Sequence, residues 1–109
     1  MRLHDAVEWH EDKAKANLHK YRIRLTDAAA VLTDPDGDRF HLESYDEAHS
    51  EEEDRTITIG SHPQDRGTVL YIAWTDRSER GRQVTRIISA RKATARERRD
   101  YEQWLFGAG

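Results

Sequence analysis

The sequence predicts an α+β fold in which N-terminal helices and a C-terminal helix pack on an antiparallel β-sheet. Two observations lead to this prediction. Residues with helical periodicity occur near both ends of the chain, and the segments between them have the alternating or continuous apolar character of strands. A chain of 109 residues is the usual size of one domain, so we expect a single domain over residues 1–109.

The N-terminal part predicts an edge strand at 6–9, a helix at 10–20 and a short helix at 27–32 that Thr26 caps. The first helix carries an apolar stripe with i, i+4, i+7 spacing. A polar stripe with the same spacing lies one residue earlier, so it borders the buried face. The apolar stripe is Ala14, Leu18 and Tyr21, and the polar stripe is Lys13, Asn17 and Lys20.

The middle of the chain predicts four strands, at 39–43, 55–60, 68–75 and 84–90. Residues 68–75 are apolar on both faces, which favours a central position in the sheet. Short turns between the last three strands indicate an antiparallel meander. After them, Thr94 and Glu97 have the spacing of a capping box, so the terminal helix is expected to begin there.

Charge is distributed unevenly along the chain. Residues 1–54 contain 15 acidic and 7 basic side chains, whereas residues 55–109 contain 6 acidic and 11 basic ones. Seven of the acidic side chains lie in 43–54, which we expect to be a mobile or irregular acidic loop. The second half therefore suits an anionic partner, although a solvated charged surface would give the same asymmetry.

Several classes of site and location are disfavoured. The chain has no cysteine, so it can form neither a disulfide nor a thiolate metal site. Asp34-Pro-Asp-Gly-Asp38 resembles the start of a calcium loop but has Arg39 and Tyr45 where glycine and a carboxylate are needed, so it predicts a turn. The six histidines are scattered. We expect no metal, no cofactor and no membrane association, and a cytoplasmic location.

Cationic side chains are concentrated where the last strand meets the terminal helix. Arg86 and Arg91 are five residues apart, so an uninterrupted strand would send them to opposite faces. They can act together only if the strand ends or bulges near Ser89 and Ala90.

Taken in order, four motifs make the chain similar to the BrnT family. They are Trp9-x-x-x-Lys13-x-x-x-Asn17-x-x-Lys20, Arg55-x-x-x-x-Gly60, Thr75-Asp76-Arg77, and Arg86-Ile-Ile-Ser89-Ala-Arg91-Lys92-Ala-Thr94-x-x-Glu97-Arg98-x-x-Tyr101-Glu102. This resemblance covers nearly the whole chain.

The resemblance implies a RelE-like fold and a toxin of a type II toxin–antitoxin module that cleaves RNA and inhibits translation. It also implies neutralisation by a BrnA-like antitoxin with a ribbon-helix-helix domain. DNA would be contacted only through the antitoxin complex. A homodimer or a hetero-oligomer with the antitoxin would fit this scheme.

Metal-independent RNA cleavage requires deprotonation of the 2′-OH, stabilisation of the phosphorane and protonation of the 5′ oxygen. Arginine suits the second task because its planar fork holds two phosphate oxygens. We therefore expect catalytic roles for Arg55, Arg86 and Arg91, with Asp76 as a base or as an orienting group. Further RNA contacts are expected from Lys13, Asn17, Lys20, Arg77 and Lys92.

Structural roles compete with these assignments. A salt bridge would account for Arg86, and a polar helix border would account for Lys13, Asn17 and Lys20. The alternative function is a catalytically silent module that docks an antitoxin or another acidic partner.

Overall fold

The computed structural model describes residues 4, 6–47 and 54–107, which form five strands and four helices. The strands are β1 (Val7–Glu8), β2 (His41–Tyr45), β3 (Thr56–His62), β4 (Asp65–Asp76) and β5 (Thr85–Lys92). The helices are α1 (Glu11–Tyr21), α2 (Leu25–Leu32), α3 (Gly37–Phe40) and α4 (Ala95–Phe106). Within the described part of the chain, no helix is long and apolar enough to cross a bilayer.

The five strands form one sheet in the order β1-β5-β4-β3-β2. The predicted antiparallel meander is confirmed for β3, β4 and β5, and β2 extends it on the far side of β3. The expectation of a wholly antiparallel sheet is wrong, because β1 pairs with β5 in parallel and the sheet is mixed. Two residues of β1 contain too little pattern to indicate the direction of pairing.

The main core lies between one face of this sheet and helices α1 and α2. Leu70, Ile72 and Trp74 of β4 alternate along the strand and pack against the buried side chains of α2. Ile87 and Ala90 of β5 complete the same cluster and are fully buried. Burial of a large apolar side chain contributes about 1.5–3 kcal/mol, so this cluster stabilises the packing of the helices on the sheet.

Helix α4 lies on the other side of the sheet, at one end. The capping box is confirmed: the Thr94 hydroxyl accepts a hydrogen bond from the Glu97 N–H, and the Glu97 carboxylate accepts one from the Thr94 N–H. One turn later, the buried Tyr101 donates its hydroxyl hydrogen to the Phe40 carbonyl at 2.7 Å. Tyr101 also lies within 3.4 Å of the Ser61 hydroxyl, which places α4 across β3.

Some element boundaries differ from those expected. Helix α2 begins at Leu25 with Arg24 as its N-cap, and not after Thr26, because Leu25 is itself buried in the core. The turn at Asp34 is formed by a hydrogen bond from the Asp36 N–H to the Asp34 carboxylate, but the short helix α3 follows it.

Residues 43–45 of the expected acidic loop belong to β2. They pair in register with β3 instead of forming an irregular connection. Residues 48–53 of that expected loop lie outside the described residues.

Asn17 attaches α1 to the outer edge of β5. Its side-chain amide donates to the Ala90 carbonyl at 2.8 Å and accepts from the Ala90 N–H at 2.9 Å, as a neighbouring strand would. The same amide donates to the Ile23 carbonyl at 2.9 Å and thereby holds the α1–α2 connection. Asn17 is buried, so these bonds satisfy backbone groups that water does not reach.

We predict that Asn17→Ala destabilises the protein strongly. A buried backbone group without a partner costs about 1–3 kcal/mol, and both groups of Ala90 would lose theirs. The free energy of unfolding, measured by urea denaturation, should fall by at least about 2 kcal/mol. Lys15→Ala, at an exposed position of the same helix, is the control. An Asn17→Ala variant as stable as the Lys15→Ala variant would contradict the role of Asn17.

Candidate nucleic-acid interface

The sheet face opposite the α1–α2 layer carries the arginines that the sequence singled out. Paired residues of neighbouring strands project from the same face, and Thr75 pairs with Arg86, Ala73 with Ser89, and Tyr71 with Arg91. Ala73 and Thr75 are small and buried, whereas the arginines and Tyr71 are half-buried and rise around them. We call this surface the arginine face; it consists of Tyr71, Ala73, Thr75, Arg86, Ser89 and Arg91.

A β-bulge places both arginines on this face. The pairing of β4 with β5 passes from Ala73–Ser89 to Trp74–Ile87, so Ile88 is an extra residue in β5. The extra residue reverses the alternation, and Arg91 therefore projects on the same side as Arg86. The sequence required a bulge or a strand end near Ser89 and Ala90 for the two arginines to act together. The bulge is present one residue earlier, at Ile88. The partners of the two arginines, Tyr71 and Thr75, are four positions apart in β4, or about 13 Å along the strand.

Arg91 is held by three groups. Its two terminal nitrogens donate to the two carboxylate oxygens of Glu97 at 2.7 and 2.9 Å. Nη1 also donates to the Lys92 carbonyl at 3.2 Å. The guanidinium lies over the Tyr71 ring, with its central carbon 3.9 Å from the ring centroid. Glu97 is in turn fixed by the Thr94 N–H, so the capping box of α4 orients Arg91.

This arrangement leaves one edge of the Arg91 guanidinium for a ligand. An arginine has five N–H donors, and the three contacts above use both hydrogens of Nη1 and one of Nη2. The remaining donors, Nε–H and the second hydrogen of Nη2, are parallel and lie in the guanidinium plane along one edge. Two parallel N–H groups match two oxygens of a phosphate. Arg91 can therefore bind a phosphate without releasing Glu97.

Arg86 contacts the N-terminal segment. Its Nε donates to the Glu8 carboxylate at 2.8 Å, and its Nη2 contacts the same oxygen. Its Nη1 lies 3.4 Å from the His10 Nε2. Parallel pairing of Glu8 with Arg86 brings these residues together. The structural salt bridge that the sequence left open is thus present, and it occupies the edge of Arg86 that corresponds to the free edge of Arg91.

Arg55 precedes β3, and its carbonyl accepts a hydrogen bond from the Asp46 N–H at 2.9 Å. Strand alternation gives Arg55 the orientation of Ile57, which pairs with Ala73 of the arginine face. The register that pairs Thr56 with Trp74 places Arg55 level with Thr75, and hence in one cross-strand row with Arg86. Three of the four residues expected to be catalytic therefore project from the same face.

Asp76 is not brought together with these arginines. It pairs with Thr85, so it projects from the opposite face of the sheet. Its carboxylate accepts a hydrogen bond from the Ser78 N–H at 2.8 Å in the connection after β4. Hydrogen bonds from the side chain and backbone of Ser78 lower the pKa of Asp76 below its ordinary value. A carboxylate with a depressed pKa is a poor general base near neutral pH.

The α1 residues that were expected to bind RNA are of two kinds. Asn17 is buried and both hydrogens of its amide are donated to backbone carbonyls, so it has no donor left for an RNA phosphate. Lys13 and Lys20 are exposed and lie about one turn on either side of Asn17 on the same helix face. The Lys20 ammonium lies 5.1 Å from the centroid of the Tyr21 ring. Both lysines therefore border the β5 edge next to the arginine face.

Arg77 and Lys92 are exposed at the ends of β4 and β5. The Arg77 N–H donates to the Val84 carbonyl at 2.9 Å, which closes the connection between the two strands. Lys92 pairs with Leu70, so it projects toward the α1–α2 side, whereas the neighbouring Arg91 does not. Only the backbone carbonyl of Lys92 reaches the site, where it accepts a hydrogen bond from Arg91.

Sequence reasoning missed four residues that form the site: Glu8, His10, Tyr71 and Glu97. Glu97 was identified as a helix cap, but its second role depends on the position of Arg91 across the strand–helix junction. Tyr71 could have been found from the register of β4 with β5. Glu8 and His10 depend on the parallel pairing of β1, for which the sequence contains no signal. Among the described residues, no three histidine or carboxylate side chains are grouped so that they could bind a metal ion.

We predict that the Arg91–Glu97 pair makes stability sensitive to acid. Hydrogen bonds from Arg91 lower the pKa of Glu97 below its ordinary value of 4.5, although burial opposes them. A carboxylate with a lowered folded-state pKa stabilises the protein fully above pH 4.5 and loses this contribution as the pH falls through the folded-state value. In Glu97→Gln, the loss of stability below pH 4.5 should therefore be shallower than in the wild type.

Urea denaturation at a series of pH values measures this slope. Glu102→Gln, which removes an exposed ion pair with Arg98 in the same helix, is the matched control. If Glu97→Gln had the same acid dependence as the wild type, the pair would not contribute to stability as described.

Comparison with known proteins identifies a family. The model of a family described as "Ribonuclease toxin, BrnT, of type II toxin-antitoxin system" matches residues 9–97. The matched region includes α1, the whole meander and the start of α4, and so contains Arg55, Arg86, Arg91 and Glu97. A search of curated proteins found no match.

Proposed function

The chain belongs to the BrnT family of ribonuclease toxins of type II toxin–antitoxin systems, and we propose that it cleaves RNA without a metal ion and thereby inhibits translation. The proposed substrate surface is the arginine face. The proposed products are a 2′,3′-cyclic phosphate and a free 5′-hydroxyl, because the 2′-oxygen is the nucleophile in metal-independent cleavage. The toxin would act in the cytoplasm.

The free edge of Arg91 is the observation that supports this proposal most directly. Nε–H and one Nη2 hydrogen remain after Glu97 and the Lys92 carbonyl have taken the other three donors. A guanidinium already fixed by an aromatic ring and a carboxylate loses little conformational freedom when it binds a phosphate. We propose that Arg91 anchors the RNA backbone in this way.

The other cations would extend this anchor along the strand. Arg55 lies in one cross-strand row with Arg86 of the arginine face, about 13 Å along the strand from Arg91, so these two arginines would contact a different phosphate. Lys13 and Lys20 would add positive potential along the β5 edge. Exposed cations of this kind attract a polyanion mainly through long-range, salt-dependent electrostatics.

Family membership implies an antitoxin partner. We propose a BrnA-like antitoxin with a ribbon-helix-helix domain, through which alone the complex would contact DNA. We also propose that the fold, an α+β arrangement with a five-stranded mixed sheet, is of the RelE-like kind, and that residues 1–109 form one domain.

A second candidate function is a catalytically silent docking module. The carboxylates favour it, because Glu8 and Glu97 neutralise Arg86 and Arg91 within the chain itself. The displacement of Asp76 from the arginine face favours it too. An acidic segment of a partner could occupy the Arg91 edge as well as a phosphate does.

We predict that Arg91→Ala weakens RNA cleavage mainly through KM. Hydrogen bonds to charged groups contribute about 1.5–3 kcal/mol, so kcat/KM for a synthetic single-stranded RNA should fall by about 10- to 100-fold. The drop should shrink as the salt concentration rises, because part of it is electrostatic. Induced expression should arrest growth for the wild type and much less for the variant at matched protein levels.

Arg96→Ala is the matched control, since Arg96 is an exposed arginine of α4 outside the arginine face. Circular dichroism establishes that each variant is folded. Wild-type protein that leaves RNA intact and growth normal would overturn the ribonuclease proposal in favour of the docking module. Equal cleavage by Arg91→Ala and wild type would remove Arg91 from the site.

A further inference from the structure

The proposed cleavage needs a group that removes a proton from the 2′-OH, and the carboxylates near the arginine face do not suit this task. Asp76 projects from the other face of the sheet. Glu8 and Glu97 are engaged in ion pairs with Arg86 and Arg91, and the pKa of Glu97 is lowered by its partner. A base that works near neutral pH must be sought among other side chains, and histidine is the usual one.

One of the described histidines lies at the arginine face, and the others are occupied or distant. His4 contacts the Thr85 hydroxyl, and His41 contacts the Val31 carbonyl, both on the α1–α2 side of the sheet. His62 pairs with Asp27 of α2. His19 is exposed on α1. His10 is the one whose ring nitrogen approaches an arginine of the face, at 3.4 Å from Arg86.

The backbone places the His10 side chain at this position. Glu8, the last residue of β1, pairs in parallel with Arg86 of β5. Two residues later, His10 has an extended backbone conformation and is the N-cap of α1. The His10 side chain makes no capping hydrogen bond and is exposed, so its ring is available to a ligand. Glu8 fixes the Arg86 guanidinium, and the guanidinium in turn faces the imidazole.

The contact with Arg86 indicates which nitrogen of the imidazole carries the lone pair. A guanidinium only donates hydrogen bonds, so the Nε2 that faces Arg86 presents its lone pair. Arg86 supplies a positive charge beside the ring, and Glu8 on β1 and the acidic first turn of α1, Glu11 and Asp12, supply negative charges near it.

We propose that His10 is the general base of the cleavage reaction and that the scissile phosphate binds beside Arg86. When RNA binds, the 2′-OH replaces the Arg86 N–H at the lone pair of His10 Nε2, and Nε2 then removes the proton of the 2′-OH as the 2′-oxygen forms a bond to phosphorus. The P–O5′ bond breaks, and the 5′ oxygen takes a proton from solvent water. His10 then returns its proton to solvent. The RNA phosphodiester is thus converted to a 2′,3′-cyclic phosphate and a 5′-hydroxyl, with no change in oxidation state.

Arg86 takes part through the donors that its partners leave. Two of its five N–H groups contact Glu8, and the Nη1–H that faces His10 is released when the 2′-OH binds, so three are left for the oxygens of the scissile phosphate. Arg91 binds another phosphate of the same RNA molecule. The two ends of the arginine face thus differ in task, with chemistry at His10 and anchoring at Arg91.

This inference rests on the proposed ribonuclease function, and kinetics on the full chain test the two separately. The probe is a synthetic single-stranded RNA of mixed sequence with a fluorophore and a quencher, cleaved in the presence of EDTA. His10→Gln should lower kcat by about 10²–10⁴-fold with little change in KM, as expected for loss of a general base. His19→Gln, at an exposed position of the same helix, should behave as the wild type.

The pH profile gives a readout that a structural role would not change. A general base must be unprotonated to act, so wild-type kcat should rise with pH and then level off. His10→Gln should lose this rise. Added imidazole should restore part of the activity of His10→Ala but leave His19→Ala unaffected.

The outcomes separate the two proposals. Wild-type protein that does not cleave the probe overturns the ribonuclease function, and the role of His10 with it. Wild-type protein that cleaves the probe, with an unchanged kcat and pH profile in His10→Gln, overturns the role of His10 alone. A rise in KM without a fall in kcat would make His10 a binding residue and would also overturn the proposal.

Discussion

The extra residue Ile88 in β5 is the constraint on which the site depends. Side chains alternate strictly along a strand, so a regular β5 would bury either Arg86 or Arg91 against the helices. The bulge resets the alternation: Ile87 and Ala90 both reach the core, and both arginines reach the opposite face. The bulge thus allows β5 to fill the core and to present two arginines on the opposite face. Bulges near functional sites commonly redirect side chains in this way.

Carboxylates of the same chain both restrain and compete for the arginines. Glu97 takes the end of the Arg91 guanidinium and leaves a parallel pair of donors, whereas Glu8 takes the corresponding pair on Arg86. The two arginines are equally charged but differ in what they offer a ligand. Because Glu97 also caps α4, the position of this helix and the orientation of Arg91 are linked.

The sequence predicted correctly those features of the fold that depend on residues close together in the chain. The capping box at Thr94 and the antiparallel meander are confirmed, since each depends on neighbours in the sequence. The pairing of β1 with β5 and the attachment of Asn17 to Ala90 join residues more than seventy positions apart, and no local pattern encodes them. Asp76 was grouped with the arginines by its position at a strand end, but strand alternation sends it to the other face.

Titration of RNA while observing the arginine Nε–H signals by NMR tests the central claim most directly, namely that the arginine face is where RNA binds. A 2′-O-methyl oligonucleotide binds without being cleaved, because it lacks the attacking hydroxyl. We expect the Nε–H signal of Arg91 to shift on titration, and that of Arg24, which caps α2 on the other side of the sheet, to stay. A shift at Arg24 with no change at Arg91 would contradict the account.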